Sequence, residues 1–105
     1  MTENVYQRKL IKKLYEMFPG CEILKNDANY KQGILDLTIL YGKKWAMLEP
    51  KASAKASVRP NQDYFVNKLN GMSFASFIFP ENEKEVLTAL QKALSPRRTA
   101  RVSKS

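Results

Sequence analysis

The sequence predicts an α/β protein, an α+β mixed sheet with helices packed against it, from three observations. Segments with apolar residues at helical spacing alternate with short runs rich in isoleucine, leucine and phenylalanine. Glycine, proline and asparagine stand between these segments. The length of 105 residues, with 44% hydrophobic and 27% charged residues, is typical of one globular domain. The predicted order is helix, three strands, helix, strand and helix.

The first helix is predicted to begin after Thr2, a favourable N-cap, because apolar residues then recur on one face. Pro19 and Gly20 end this helix. A short strand is predicted in residues 21–26, and a polar loop follows it in residues 27–32.

A hairpin is predicted next, with strands in residues 33–40 and 45–52 and a tight turn between them. After a flexible loop, Pro60 suits the first position of a helix that runs to Leu69. The dipeptide Asn70-Gly71 ends it.

A buried strand is predicted in residues 72–79, before the last helix. Acidic residues suit the first turn of that helix, where they complement the helix dipole. They are Glu81, Glu83 and Glu85. Its apolar stripe is formed by Val86, Leu87, Leu90, Ala93 and Leu94.

The chain has no histidine and a single cysteine, Cys21. This composition excludes an intramolecular disulfide, a Ser-His-Asp or Cys-His catalytic arrangement and a histidine-built zinc site. There is neither a run of about 18 apolar residues nor a signal-peptide pattern, so we expect no membrane span and a reducing, cytoplasmic location, the host cytoplasm for a viral protein. Any chemistry must rest on carboxylates, lysines and a bound cation.

The formal net charge of +8 is unevenly distributed. Residues 95–105 carry +4 and no acid, and residues 1–94 carry the other +4, from 14 basic minus 10 acidic residues. The cations of this tail are Arg97, Arg98, Arg101 and Lys104. A basic excess of this kind indicates an anionic partner, most often nucleic acid, although a solubilising tail would explain it too. We therefore predict a folded domain in residues 1–94 and a basic tail in residues 95–105, disordered when unbound.

The hairpin predicts a cluster of charges. If Gly42 and Lys43 form a two-residue turn, glycine in the first position favours type II′, and Asp36 then faces Glu49 across the two strands. Directly opposed Cβ atoms lie about 4.5–5.5 Å apart, and two carboxylates so close need a cation or a shared proton. The period of a strand places Lys51 on the same face as Glu49.

These three residues predict a site for metal-assisted phosphate chemistry. Two carboxylates, Asp36 and Glu49, suit Mg²⁺, which is often held by one or two such ligands with waters and substrate phosphate. Lys51 beside them can orient or deprotonate an attacking water and stabilise charge on phosphate. A surface ion pair between Glu49 and Lys51 remains the alternative, since such pairs are common and contribute little stability.

The stretch "GILDLTILYGKKWAMLEPKAS" in residues 33–53 resembles the core of the PD-(D/E)XK nuclease superfamily, in which an acid in one strand precedes (D/E)-x-K in the next. With "RPNQDYFVNKLNG" in residues 59–71, the layout resembles the virus-type replication–repair nuclease domains, relatives of the Holliday junction resolvases. The resemblance covers residues 3–80. Leu35 stands where the name-giving proline usually precedes the aspartate.

This resemblance implies a restriction-endonuclease-like fold and assigns roles by position. Asp36 and Glu49 would bind Mg²⁺ or Mn²⁺, with Glu3 as an additional N-terminal acid, and Lys51 would serve the attacking water. Gln62 would match the family's glutamine near the site.

Outside the cluster, the sequence offers further candidates for contact with DNA. Lys55 and Arg59, in the loop after the site, are candidates for phosphate contacts, but as solvated loop charges they would need no explanation. Tyr30, Tyr64 and Trp45 could stack on bases, although core packing is the commoner fate of such residues.

The sequence therefore predicts an Mg²⁺-dependent DNA endonuclease, selective for branched or junction DNA because a small domain leaves little room to read sequence. We expect it to act as a symmetric homodimer that cuts two strands. Two alternatives stay open: a nicking or sequence-directed endonuclease of the same fold, and a non-catalytic nucleic-acid-binding module.

Overall fold

The computed structural model describes residues 1–95, which form three helices and four strands in the predicted order. The helices are α1 (Glu3–Met17), α2 (Gln62–Met72) and α3 (Glu83–Leu94). The strands are β1 (Glu22–Lys25), β2 (Leu37–Tyr41), β3 (Lys44–Pro50) and β4 (Phe74–Ile78). The predicted class, a mixed sheet with helices, is thus confirmed. The predicted tail, apart from Ser95, lies outside the described residues.

The four strands form one sheet in the order β1-β2-β3-β4. The first three are antiparallel neighbours, whereas β4 runs parallel to β3. A parallel neighbour requires a crossover connection, and α2 with its flanking loops provides it. No helix in residues 1–95 is long and apolar enough to cross a membrane.

Helices cover both faces of the sheet. The larger core lies between one face and the helices α1 and α3, and it contains Leu10 and Leu90 with Leu37 and Leu48 of the central strands. The smaller core lies on the opposite face, where Leu69 of α2 is packed with the apolar side chains of β3 and β4. The β1 and β2 end of this second face is less covered, and Leu24 and Leu40 are exposed there.

Helix α1 begins as predicted. The Thr2 hydroxyl accepts a hydrogen bond from the Val5 backbone N–H at 3.2 Å, as an N-cap should. The apolar stripe is buried at Tyr6, Leu10 and Leu14.

The predicted hairpin register is confirmed in the ladder itself. Thr38 pairs with Met47 and Leu40 with Trp45. Gly42, the first residue of the turn, has a φ of 62°. Lys43, the second, has a negative φ, because Asn61 is the one non-glycine residue with positive φ among residues 1–95. This combination of φ angles is that of a type II′ turn.

The prediction that β2 begins at Gly33 was wrong, because this strand begins at Leu37. Gly33 has a φ of 90°, which is outside the strand region, and a Cβ there would lie 2.5 Å from the Cβ of Asn61. Residues 33–36 instead form a connection that packs against the start of α2.

The predicted limits of α2 were also wrong. Asn61 adopts a left-handed conformation with a φ of 70°, so the helix begins at Gln62 and not at Pro60. It continues through Asn70 and Gly71 to Met72. Core packing was also the wrong expectation for Tyr30 and Tyr64, whose side chains are exposed.

Candidate functional site

The candidate site lies at one end of the sheet, where four elements begin or end together. Glu3 opens α1, Asp36 precedes β2, Glu49 is the penultimate residue of β3 and Gln62 opens α2. Lys51 follows β3 directly. The fold therefore brings together all five residues that the sequence and the resemblance assign to the site.

Asp36 is held in place through its backbone. Its N–H donates to Glu49 Oε1 at 2.9 Å, and its carbonyl oxygen accepts from the Asn26 N–H at 2.7 Å. The β2–β3 ladder ends with the pair Leu37 and Leu48, so the Glu49 side chain takes the place of the next main-chain partner. This contact keeps the two predicted carboxylates adjacent beyond the end of the ladder.

Glu3, Asp36 and Glu49 form an acidic cluster, in which one carboxylate oxygen of each lies within 4.8 Å of the others. Glu49 has no exposed surface, whereas the other two acids are partly buried. Its second oxygen, Oε2, is buried and has no hydrogen-bond partner among the described residues. A buried carboxylate oxygen without a partner is costly and needs an explanation.

The surroundings of Glu49 raise its pKa to about 7. The main cause is burial, which disfavours the charged form, and the nearby Asp36 carboxylate acts in the same direction. The Asp36 N–H, the Lys51 ammonium and the Gln62 side chain lower the pKa and so oppose these effects, but only partly. Burial thus outweighs the nearby lysine in setting the pKa of this carboxyl group.

Lys51 is buried beside this cluster, with 4% of its surface exposed. Its Nζ donates to Gln62 Oε1 at 2.9 Å and lies 3.6 Å from Glu49 Oε2, within ion-pair range but beyond a good hydrogen bond. Gln62 Oε1 also accepts from the Arg59 backbone N–H at 2.9 Å, which fixes the orientation of the amide. Gln62 therefore holds the ammonium at the edge of the acidic cluster.

Of the predicted phosphate-contacting residues, the structure describes Lys55 and Arg59. Arg59 and Lys55 are exposed, and the backbone of Arg59 contacts Gln62, whereas the Lys55 N–H bonds Ser53 Oγ within the loop. Arg97, Arg98, Arg101 and Lys104 lie outside the described residues.

Gln7 is a site residue that the sequence analysis missed. Its Nε2 donates to Asp36 Oδ2 at 3.3 Å, so it orients the carboxylate from one turn beyond Glu3. The spacing of four residues along α1 would have placed both side chains on one helix face. That signal becomes useful only once Glu3 is assigned to the site.

The residues fit a hard divalent cation. Three carboxylates supply oxygen ligands of the kind that Mg²⁺ and Mn²⁺ prefer, and the unpartnered Glu49 Oε2 offers an available one. No cysteine or histidine competes for a softer metal there.

Comparisons of the chain with protein-family models, curated proteins and solved structures give no significant match.

Proposed function

We propose that this protein is a divalent-metal-dependent DNA endonuclease of the PD-(D/E)XK type. The observation that carries the proposal is a fully buried oxygen of Glu49 that accepts no hydrogen bond, within a three-carboxylate cluster and 3.6 Å from the buried Lys51 ammonium. Hydrolysis of a phosphodiester is the chemistry for which such a combination is suited.

Glu3, Asp36 and Glu49 would hold Mg²⁺ or Mn²⁺. When bound, the ion would neutralise phosphate charge and lower the pKa of water. The protein contributes the positions of these carboxylates: the Asp36 N–H orients Glu49, and Gln7 orients Asp36.

Lys51 would act on the attacking water and on the phosphate. An ammonium has three N–H donors, of which one is used by Gln62, and Glu49 Oε2 lies 3.6 Å from the nitrogen. A remaining donor is available to a substrate oxygen. In the reaction the attacking water loses a proton and its oxygen forms a bond to phosphorus, one P–O bond breaks, and the departing sugar oxygen takes up a proton.

DNA is the proposed substrate because of the basic excess of the chain, +8 overall. The described domain has three helices and four strands, which leaves little structure for reading base sequence, so we favour recognition of branched or junction DNA. Two cuts in opposite strands would follow from a symmetric dimer.

A non-catalytic nucleic-acid-binding module is the rival proposal from another class. Such a module gains nothing from acids that face phosphate, since they repel it. The buried Glu49 would also destabilise the fold of such a module without a compensating role. These two arguments favour the nuclease.

The test is cleavage of supercoiled plasmid and of a four-way junction in Mg²⁺, with EDTA as the negative condition. Asp36→Asn, Glu49→Gln and Lys51→Ala should each lose at least about 100-fold in rate, the lower end of what one positioned acid–base group contributes. DNA binding should remain, or become tighter when a negative charge is removed.

Glu22→Gln is the matched control, because Glu22 is an exposed acid of β1 whose neutralisation changes the net charge equally. It should cleave at the wild-type rate. Near-normal cleavage by any of the three site variants would show that the active-site assignment is wrong. Binding without metal-dependent cleavage by the wild type would favour the rival module.

A further inference from the structure

Four side chains near the candidate site form a row of two cations and two aromatic rings. Lys31 Nζ lies 5.6 Å from the centre of the Phe65 ring. That ring lies 5.1 Å from the Tyr64 ring, edge to face, and Lys68 Nζ lies 5.8 Å from the centre of the Tyr64 ring. We call Lys31, Phe65, Tyr64 and Lys68 the basic-aromatic row.

The row is accessible and positively charged. The Tyr64 side chain is 57% exposed, and Lys31 and Lys68 are exposed as well. The ion pairs among residues 1–95 involve Lys13 and Lys51, so neither lysine of the row is neutralised by a carboxylate there. A single exposed tyrosine with a lysine four residues later is common on helix surfaces. Here two cation–ring pairs are joined by the contact between the Phe65 and Tyr64 rings.

The basic-aromatic row begins beside the candidate site. Tyr64 and Phe65 are in the first turn of α2, two and three residues after Gln62, whose amide binds Lys51, and the exposed acid Asp63 stands between Gln62 and Tyr64. Lys31 belongs to the loop whose Gly33 packs against Asn61.

A cleft of about 200 Å³ lies beside this contact, between the loop and the start of α2. Its lining residues include Asn29, Gln32, Arg59 and Gln62. At the tip of the same loop, the Tyr30 side chain is 87% exposed. Phe65 lies one helical turn after Gln62, which contacts Lys51, so the row and the candidate site share the start of α2.

We propose that the basic-aromatic row, with Tyr30, binds single-stranded DNA by stacking on its unpaired bases. This inference rests on the proposed function, and it names the substrate feature that the site would select: unpaired bases next to the cleaved phosphate. The lysines complement the phosphate backbone, and the tyrosine rings offer flat faces to bases of any sequence.

Duplex DNA fits the row less well. In a duplex the bases are stacked on one another and present only their edges in the grooves, so the face of a tyrosine ring has no base face to cover. Bases are free to stack on protein side chains in single-stranded ends, loops and branch points. The row therefore predicts a preference for single-stranded over blunt duplex DNA.

The test is binding of a short fluorescein-labelled oligothymidylate and of a matched blunt duplex, measured by anisotropy in EDTA. Tyr64→Ala and Tyr30→Ala should each weaken oligothymidylate binding, by about 5- to 150-fold if one stacked base is lost. Tyr64→Phe should bind oligothymidylate as the wild type does, because stacking needs the ring and not the hydroxyl. Duplex binding should change less than twofold in all three variants.

Tyr15→Ala is the matched control, because Tyr15 is an exposed tyrosine whose hydroxyl binds the Ile23 N–H at α1 and β1, away from the row. It should leave oligothymidylate binding unchanged. Tyr30 is so exposed that its substitution should not unfold the protein, so that variant remains informative if Tyr64→Ala proves unstable. A wild type without affinity for oligothymidylate, or equal affinities in wild type and both alanine variants, would overturn the inference.

The measurement needs no cleavage, so its failure is distinguishable from that of the proposed function. Tyrosine-dependent binding in a protein that never cuts DNA would support the row and refute the nuclease. DNA cleavage by a protein whose oligothymidylate binding does not depend on these tyrosines would support the nuclease and refute the row. Capture of an acidic protein, with no affinity for oligothymidylate, would assign the row to a protein partner and would also overturn the inference.

Discussion

Glu49 is the residue on which the site depends, and its environment serves two opposed requirements. Its Oε1 accepts the Asp36 N–H and so shapes the end of the hairpin, whereas its Oε2 accepts no hydrogen bond from the described residues and has only Lys51 within ion-pair range. Lys51 offsets the charge only partly, and the pKa of Glu49 is raised to about 7. In the absence of metal, this carboxyl group should take up a proton near neutral pH.

The raised pKa predicts how stability depends on pH in EDTA. The folded-state pKa of Glu49, about 7, exceeds the value of about 4.3 expected in the unfolded chain, so the folded state binds the extra proton between these values. The free energy of unfolding should therefore fall from about pH 4.5 to pH 7 and stay lower above it. This difference in pKa corresponds to a loss of about 4 kcal/mol in the free energy of unfolding.

Glu49→Gln isolates this contribution, because the other carboxylates titrate in both proteins. Urea unfolding of wild type and variant from pH 4 to pH 8 should show the variant gaining relative stability as the pH rises. A constant difference across this range would mean that Glu49 titrates normally, and that its burial carries no electrostatic cost.

The proximity of Asp36 and Glu49, one residue beyond the last pair of the ladder, could be predicted from sequence because an antiparallel register is determined by its turn. Once Gly42 and Lys43 form the two-residue connection, every opposed pair follows. The contact of Gln7 with Asp36 could not be predicted in this way, because it depends on how α1 docks across the end of the sheet. Tertiary placement of this kind leaves no local pattern.

At the scale of elements, the predictions failed where a loop contact overrides local preference. Pro60 is favourable at the first position of a helix, yet the left-handed Asn61 delays α2 until Gln62. Asn70-Gly71 is a common helix end, yet the helix continues, and Asn70 Oδ1 accepts the Ala75 N–H. In both places a side-chain or packing contact from another segment decides the boundary.

Gly33 is the contact through which the loop before β2 meets the start of α2. It has a φ of 90°, and a Cβ there would lie 2.8 Å from the Asn61 carbonyl carbon and 2.9 Å from the Pro60 oxygen. Gly33→Ala should therefore lower the free energy of unfolding for two reasons. The strain of the left-handed backbone should contribute about 1–2 kcal/mol, and overpacking against Asn61 and Pro60 should contribute about 1–3 kcal/mol more. Urea unfolding in EDTA measures the sum.

Gly20→Ala is the control, since Gly20 has a φ of 88° but nothing within 4 Å of a Cβ. It should cost the backbone strain alone. Equal losses in the two variants would contradict the close approach of the loop to Asn61. That approach positions Gln62, so Gly33→Ala should also reduce metal-dependent cleavage more than Gly20→Ala.

At the scale of the whole molecule, the sheet end is an acidic site in a basic protein. The chain carries a formal +8, yet Glu3, Asp36 and Glu49 bring their oxygens within 4.8 Å of one another. Such a concentration of like charge lowers stability locally, and the long-range excess of cations compensates only weakly through water. A bound divalent ion would reverse the sign of this local contribution.

Metal should therefore stabilise the folded protein as a whole. A ligand that binds only the native state adds about 2.7 kcal/mol at a concentration of 100 times its Kd, which for a domain of this size raises Tm by about 10–20 °C. In EDTA, Asp36→Asn should be more stable than wild type by about 0.2–1 kcal/mol, because one like-charge contact is relieved. The same variant should lose most of the stabilisation by Mg²⁺ or Mn²⁺.

Thermal melts of wild type, Asp36→Asn and Glu22→Gln across a metal titration measure both effects. Glu22→Gln removes an equal charge from an exposed position of β1, so it should retain the wild-type response to metal and gain little in EDTA. If the wild type shows no metal-dependent shift and Asp36→Asn is less stable than wild type in EDTA, Asp36 is an ordinary structural acid. The raised pKa of Glu49 would then be a consequence of burial alone, and the proposed phosphodiester hydrolysis at this end of the sheet would have no physical basis.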